Sequence, residues 1–549
     1  MLATACSSLT GDTPTDSVAP TADVRETTTS SPSRDCLRVT GGTGPVDTGA
    51  PATDALFLAG QLFLCADDVV VVDPADLNEV AVGAQLAAAV GGPLLFTHPQ
   101  VAAEVGRLKP QRVHLIGSVE VLAPVDSEVL THQVSDAVAY AREALGVTGE
   151  VLLPAVADAS TVVETVNAIR DRDRVVVPQT ASTPTTDTKT PPIDISETVR
   201  GLAVPSDMDS IWMADASDPV TLLLAAGTGR SVVAGVVAIN SKDILGYPEV
   251  GEAIAGYEAD EIRLVGGVPE ADEWELRVLA NGQQVPGGGF YILPKGHQRR
   301  YVAFYGHPET SGLGVLGEQD GEQTIERMQP FLDAYEGDGS QTIPTFEIIA
   351  TVAAASAGDD GNYSYEWPSE TFDDLIETAE NHDAYVVLDL QPGRSDFLTQ
   401  AQKYEDLLKL PNVGLALDPE WRLGPNQVHL VQVGHVNSAE INEVIAWLGD
   451  LVRDNGLPQK MLLLHMFRPF MIQDREILVD RPELQIVIQM DGDGTEPQKD
   501  ATWDNLQQGF EDAFWSWGWK NFFDEDEPGP PTPESTMSKD PTPVYVSYQ

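Results

Sequence analysis

Seven short apolar segments, a few tens of residues apart, dominate the second half of this chain of 549 residues. Each runs apolar for four to six residues and then ends in polar, proline or glycine positions, with amphipathic helical sequence in between. Strands that alternate with helices in this number and length predict a (β/α)-barrel. The segments read YVAFYGHP, TIPTFEIIATVA, AYVVLDLQPGR, VGLALDPEWR, KMLLLHMFR, LQIVIQMDGDG and FWSWGWKNF, and we expect an eighth strand that is short or lies in the terminal VYVSYQ.

Polar side chains follow these segments where each strand passes into a loop. In (β/α)-barrels the active site forms at the C-terminal ends of the strands, so we expect these side chains to share one pocket. The candidate catalytic residues are Glu420, Asp418, Asp389 and Asp491. The candidate binding residues are Glu347, His307, Arg394, Trp421, Arg422, His465 and Lys520.

Paired carboxyl groups suit glycoside hydrolysis, in which one acts as a proton donor and the other as a nucleophile or as the base that activates water. Glu420 follows the fourth strand segment, a position similar to that of the acid/base residue in many retaining barrel glycosidases. The adjacent Trp421 is a candidate for stacking on a sugar face. Lys520 follows the seventh segment, where a retaining enzyme would carry its nucleophile. An inverting mechanism through Asp389, Asp418 or Asp491 therefore stays open.

Two other functions remain open for the barrel. His307, Glu347, Asp389 and Asp491 offer oxygen and imidazole ligands suited to Ca²⁺, Mg²⁺ or Mn²⁺, as in a metal-dependent phosphodiesterase-like barrel. The glycosidase hypothesis requires no cofactor. The third alternative is a non-catalytic binding or scaffold protein of the cell envelope. Two carboxyl groups about 5 to 10 Å apart in an open cleft would favour an enzyme, whereas carboxyl groups that are all held in arginine pairs would favour a scaffold.

The first half of the chain alternates β-branched runs with alanine-rich helical stretches, which predicts parallel sheets covered by helices. Its pattern occurs twice. Asp73-Pro74 follows one strand segment, and Asp218-Pro219 follows another about 145 residues later. The downstream run RLVGG similarly corresponds to HLIGS. An internal duplication of a Rossmann-like α/β unit explains this agreement.

Three segments of the first half carry a family resemblance: LAAAVGGPLLFTH (86–98), LKPQRVHLIGS (108–118) and ADEIRLVGG (259–267). They resemble the cell wall-binding repeats, type 2, of surface proteins from Gram-positive bacteria. The barrel segments LDLQPGR and LALDPEWR are similar to those of a group of bacterial proteins that carry such repeats. The resemblance implies Rossmann-like sheets that hold the protein non-covalently on a cell-wall polymer or glycan.

The N-terminus and the charge predict where the protein works. Small residues precede Cys6, and a Ser/Thr/Pro-rich stretch follows it, which resembles the end of a bacterial lipoprotein signal with Cys6 as the lipidated residue. With Cys6 acylated, Cys36 and Cys65 are left to form a disulfide in an oxidising compartment. The formal net charge of −53 repels phosphates, which excludes nucleic acid as a partner and leaves the lipid anchor as the only membrane contact. We therefore expect an extracytoplasmic, lipid-anchored protein of the cell envelope.

These observations divide the chain into five parts. Residues 1–50 form a disordered tether, 51–150 a first repeat, 151–205 a connecting segment with a Pro/Thr loop, 206–290 a second repeat, and 298–549 the barrel. The overall class is α/β. Because the barrel segments form a complete alternating set, we expect residues 298–549 to fold without the rest of the chain.

Overall fold

The computed structural model describes residues 48–153, 174–178, 210–266 and 273–549, some with short gaps, and short pieces at 36–37, 44–46 and within 161–169. Cys6 and most of the predicted tether and Pro/Thr loop lie outside the described residues. The structure is α/β throughout, as the sequence predicts. Among the described helices, none combines the length and apolar character needed to span a bilayer.

The first half contains two small parallel sheets of four strands each and a separate strand pair, covered by helices. In chain order its elements are β1 (Gly44–Val46), α1 (Pro51–Leu62), β2 (Asp68–Val72), α2 (Leu77–Val90), β3 (Leu94–Phe96), α3 (Val101–Leu108), β4 (Arg112–Ile116), β5 (Glu128–His132), α4 (Val134–Leu145), β6 (Gly149–Leu153), β7 (Arg174–Pro178), β8 (Ser210–Asp215), α5 (Pro219–Ser231), β9 (Ala234–Ile239), β10 (Ile262–Val265) and α6 (Glu273–Asn281).

The two sheets repeat one strand order, which agrees with an internal duplication. The first runs β3-β2-β4-β5 and the second β9-β8-β10-β1. The first three strands correspond in order, whereas the fourth is β5, which follows β4, in one sheet and the N-terminal β1 in the other. Helices α2 and α5 follow the central strands and pack directly on each other. Their contact requires a residue without a side chain, since a Cβ on Gly227 would lie 2.8 Å from Cα of Ala84. Gly227 therefore allows α2 and α5, one from each repeat, to pack closely.

The second half is a closed barrel of eight parallel strands surrounded by helices. Its elements are β11 (Arg299–Gly306), α7 (Gly321–Tyr335), β12 (Gln341–Ala353), β13 (Ser364–Glu366), α8 (Asp373–Asn381), β14 (Tyr385–Leu390), α9 (Phe397–Ala401), α10 (Glu405–Leu408), β15 (Val413–Leu417), β16 (Val436–Asn437), α11 (Ser438–Asn455), β17 (Lys460–Met466), β18 (Ile472–Gln473), β19 (Leu484–Met490), α12 (Glu496–Gln507), β20 (Ser516–Asn521), α13 (Pro533–Met537) and β21 (Tyr545–Tyr548).

Closure of the barrel depends on its last strand. All seven segments predicted from the sequence form barrel strands, and the terminal VYVSYQ supplies the eighth as β21. Strand β21 pairs in parallel with both β20 and β11, which itself pairs with β12. The side strands β13, β16 and β18 lie outside the ring.

Every second side chain of a barrel strand points inward. The lower interior is apolar and tightly packed, with Tyr301, Tyr385, Leu463 and Val487 among its fully buried side chains. The intervening residues face the helices. Trp519 is one of these, and its ring packs against Trp503 of α12 at a centroid distance of 5.5 Å. The tryptophans of FWSWGWKNF are therefore core residues and do not face a ligand.

Residues before the first strand close the N-terminal end of the barrel. Val285 and Ile292 are buried in the same cluster as the lower interior. Arg299 fixes this segment by donating to the carbonyl oxygens of Gly287 and Gly288, at 2.9 and 2.8 Å. We call residues 285–292 the plug. They lie outside 298–549, so a fragment starting at residue 298 would lack part of the barrel core.

We predict that Ile292→Ala destabilises the barrel by about 2 to 5 kcal/mol, because it removes a fully buried side chain and leaves a cavity. Denaturation followed by tryptophan fluorescence measures the loss. Ile477→Ala is the matched control, since Ile477 is 48% exposed and should change the free energy of unfolding far less. Equal effects of the two substitutions would show that the plug is not part of the core.

Candidate active site

The upper interior of the barrel is polar, in contrast to the apolar layer below it. The inward positions that continue the apolar columns carry ionisable groups, so that Tyr385 and Val387 lead to Asp389, and Met461 and Leu463 lead to His465. All of these groups are buried or nearly so. Seven strands or strand ends contribute one each: Tyr305, Glu347, Asp389, Asp418, His465, Asp491 and Lys520.

His465 lies at the centre of this layer, between two carboxylates. Its Nδ1 is 2.8 Å from Oδ2 of Asp491, with hydrogen-bond geometry. Its Nε2 is 2.8 Å from Oε1 of Glu347, which is within ion-pair distance. The N–H is not oriented to form a hydrogen bond with that oxygen. Glu347 also accepts a hydrogen bond of 3.0 Å from the hydroxyl of Tyr545. Both ring nitrogens of His465 are therefore engaged.

Lys520 is the second buried cation of the layer. Its Nζ lies 3.2 Å from Oδ1 of Asp491 and 3.6 Å from the ring centre of Tyr305. The hydroxyl of Tyr305 donates to Oδ2 of Asp389 at 3.0 Å. Asp491 thus has a cation close to each of its two oxygens, whereas Asp389 accepts a hydrogen bond from a neutral hydroxyl and lies 3.8 Å from Nε2 of His465.

These contacts divide the carboxyl groups into two classes. Burial would raise the pKa of Asp491, but Lys520 and the hydrogen bond from His465 outweigh it and hold that pKa well below its usual range. Burial, reinforced by the charge of Asp491, raises the pKa of Glu420 to about 7. Burial also raises the pKa of Asp389 to about 6 and, together with Glu420, that of Asp418 well above its usual range.

His465 carries the matching positive charge. Burial disfavours its protonated form, but the carboxylates of Asp491 and Glu347 outweigh this and hold its pKa well above the usual value. The pKa of Lys520 is raised in the same way, mainly by Asp491 against the effect of burial. At neutral pH the site therefore combines an ionised Asp491 with a Glu420 whose raised pKa lets it carry a proton.

A cavity of about 360 Å³ opens above this layer. Asp418, Glu420, Asp491 and Lys520 line it together with Tyr305. The remaining wall includes the aromatic side chains Trp421, Phe467 and Phe522. Glu420 lies in the turn Pro419–Trp421, which the carboxylate of Asp418 caps by accepting from the backbone N–H of Glu420 at 3.3 Å. The pocket therefore exposes one ionised and one protonatable carboxyl group to the same space.

Three of the predicted binding residues lie elsewhere. Arg422 forms a two-point ion pair with Glu440 of α11, at 2.9 and 3.1 Å, and Arg394 donates to the carbonyl oxygen of Gln427. Both follow the strand ends by several residues, and the intervening turns direct them away from the barrel axis. His307 comes after β11 has ended, and its ring packs on Trp367 at a centroid distance of 4.3 Å. The prediction of these three as binding residues is not supported by their positions.

The described residues fit a metal ion poorly. Oxygen and nitrogen atoms of Asp418, His465 and Asp491 lie within 4.8 Å of one another, the spacing of a metal-ligand set. However, the two ring nitrogens of His465 already face carboxylates, and Lys520 occupies one oxygen of Asp491. The predicted set His307, Glu347, Asp389 and Asp491 does not assemble either, because His307 packs in an aromatic cluster.

Several residues of the site carry no signal that was used to predict it from the sequence. Tyr305 and Tyr545 hold Asp389 and Glu347, and Phe467 and Phe522 line the pocket. Tyr305 could have been found by counting every second residue from the apolar Tyr301 and Ala303. Tyr545 required knowing that the terminal segment completes the ring. Phe467 and Phe522 lie in loops whose direction no periodic pattern indicates.

Comparison with known proteins gives little further information. No family model and no curated protein matches the chain. Among solved structures the chain is similar to Cwp6 from Clostridium difficile, with a TM-score of 0.34 and 10% identity over 58% of this chain and 64% of that one. Cwp8 from Clostridium difficile has a TM-score of 0.34 and 11% identity, over 44% and 52%. The chain thus spans less than two thirds of either protein, and likenesses this weak carry no argument about function.

We predict that His465 stays protonated at pH 8, because two carboxylates flank it, whereas His132 is neutral because burial lowers its pKa. Nitrogen-15 NMR of the imidazoles distinguishes the two forms, and His465→Gln assigns the signal. Asp491→Asn should lower the pKa of His465, since the hydrogen-bonded carboxylate is removed. A neutral His465 in the wild-type protein at pH 8 would contradict the charge arrangement.

Proposed function

We propose that the barrel hydrolyses glycosidic bonds, with Glu420 as the proton donor and Asp491 as the ionised partner. One observation carries the proposal: both groups line one open pocket, and their surroundings hold their pKa values far apart. Such a pair provides an acid and a base at the same pH, which is what glycoside hydrolysis needs.

The chemistry follows from these two groups. Glu420 donates its proton to the glycosidic oxygen as the bond to the anomeric carbon breaks. Asp491 stabilises the positive charge that develops on the sugar ring, and it either attacks the anomeric carbon or removes a proton from the attacking water. The products gain the hydrogen and hydroxyl of one water molecule. The anomeric form of the first product distinguishes the two routes.

The surrounding groups keep the pair in its working state. Lys520 and His465 hold Asp491 as a carboxylate, and Glu347 and Tyr545 hold His465 in place from the other side. Trp421, Phe467 and Phe522 give the pocket apolar surfaces of the kind that pack against sugar rings. The cavity thus combines positioning surfaces with reactive groups.

The alternative functions have less support. A scaffold role is favoured by carboxyl groups held in arginine pairs, and no arginine pairs with Asp389, Asp418, Glu420 or Asp491 within the described part of the chain. A metal-dependent phosphodiesterase would need free ligand atoms and a cationic environment for the phosphate. The candidate ligand group Asp418, His465 and Asp491 includes a histidine whose two ring nitrogens already face carboxylates, and Lys520 is the one cation in the described lining of the pocket.

We also propose that the protein works at the cell envelope, held there by its repeat-like first half and by a lipid on Cys6. The strand order shared by the two sheets agrees with duplicated wall-binding units. Cys36 and Cys65 form a disulfide, as expected for a protein in an oxidising compartment. Cell-wall glycan is then both the anchoring partner and the nearest source of substrate.

We predict that Glu420→Gln lowers glycan hydrolysis by about 10²- to 10⁴-fold with folding intact, because it removes the general acid. The wild-type rate should fall as the pH rises above about 7, where Glu420 loses its proton. Aryl glycosides with an acidic phenol leaving group should recover much of the lost rate, since their departure needs no proton.

A screen of glycans and aryl glycosides provides the assay. Asp504→Asn is the control, since Asp504 is an exposed carboxylate on α12 that does not line the pocket. A loss below about tenfold in Glu420→Gln, or an equal loss in Asp504→Asn, would reject Glu420 as the acid.

The envelope location is tested on the exported protein. We expect thiol alkylation under denaturing conditions to leave Cys36 and Cys65 unlabelled until a reductant is added. A Cys36–Cys65 cross-linked peptide should appear in the mass spectrum, and the Cys6 peptide should carry lipid. Free Cys36 and Cys65 in protein recovered from its native host would contradict the proposed compartment.

A further inference from the structure

We infer that the glycan bound in the barrel pocket carries free amino groups, which are cationic when protonated. This inference rests on the proposed function and names the substrate class of the same site.

The pocket is far more acidic than the chain as a whole. Five of its 17 lining residues are acidic, against 85 of 549 in the whole sequence. The single cation, Lys520, is already paired with Asp491. The charged lining consists of Asp418, Glu420, Asp491, Asp493, Glu525 and Lys520. The proportion of acidic residues in the lining is thus about twice that of the whole chain.

Three of these carboxyl groups form no ion pair within the described part of the chain, although Asp418 lies in the field of His465 and Lys520. Asp493 and Glu525 are exposed at the rim and make no hydrogen bond or ion pair within the described part of the chain. Asp418 is only 3% exposed, yet its side chain accepts just one bond there, from the backbone N–H of Glu420. One such bond leaves acceptor capacity on Asp418, a side chain that lines the cavity.

An ammonium group is the donor that fits. A cation within about 4 to 6 Å favours the ionised form of a carboxyl group, so it would counteract burial and the neighbouring Glu420, which raise the pKa of Asp418. Neutral sugars leave the rim carboxylates uncompensated, and uronates, sulfates or phosphates are repelled. The aromatic side chains Trp421 and Phe522 lie in the same wall, as a sugar ring bearing the amine requires.

Binding to the full-length Glu420→Gln protein tests the inference without turnover. The probes are oligomers of glucosamine and of galactosamine, each compared with its fully N-acetylated counterpart of equal length, by calorimetry at a pH where the amines are protonated. We expect the amine form to bind about tenfold more tightly in at least one series, since hydrogen bonds to charged groups have this strength. Added salt should reduce the preference.

The rim carboxylates provide the second arm. Asp493→Asn combined with Glu525→Gln should remove most of the preference for the amine form. Asp504→Asn combined with Glu534→Gln changes the net charge equally on surfaces away from the pocket and should leave the preference intact. Equal loss in both double variants would mean that only the overall charge matters and would overturn the inference.

The outcomes separate this inference from the proposed hydrolysis. Tight binding of amino glycans that depends on the rim carboxylates, without cleavage by the wild-type protein, would support the class of glycan that the pocket binds and would reject the proposed hydrolysis. Cleavage of neutral glycans, with no preference for the amine form in either series, would support the enzyme and overturn the inference.

Discussion

The closed ring of eight parallel strands is the constraint on which the rest of the molecule depends. Once β21 joins β20 to β11, every second side chain of every strand must share one narrow interior. Space there is limited, so the side chains of each layer must be compatible with one another in size, polarity and charge. The lower layer is filled by apolar and tyrosine side chains and by the plug, and the upper layer holds the ionisable groups.

Burying several carboxyl groups in one layer is costly unless their charge is compensated. The carboxyl groups of this layer differ in how closely cations approach them. Asp491 receives two cations, Lys520 and His465, and stays ionised. Asp389, Asp418 and Glu420 do not, and burial shifts them toward the protonated form. The difference between an acid and a base at this site is thus a difference in neighbours, since all four side chains have nearly the same intrinsic chemistry.

The sequence predicted the barrel because its strands are apolar at regular intervals, and it predicted Asp389, Asp418, Glu420, His465, Asp491 and Lys520 as neighbours because parallel strands end on one face. It failed where direction depends on a turn. Arg394 and Arg422 lie beyond the strands, and local turns direct them elsewhere. The plug was missed because its contacts with the lower interior are long-range, for example between Ile292 and the barrel strands, and no local pattern reports them.

The first half of the chain and the pocket lie at opposite ends of the barrel. The first half contacts the N-terminal end, where Trp274 of α6 donates to the carbonyl oxygen of Leu457 at 2.9 Å, just ahead of β17. The pocket opens at the opposite end, beyond the C-terminal ends of the same strands. A first half held on a polymer therefore leaves the pocket unobstructed. Because α6 and residues 285–292 pack directly on the barrel, a first half held on a polymer, as proposed above, would also limit how the pocket turns relative to that polymer.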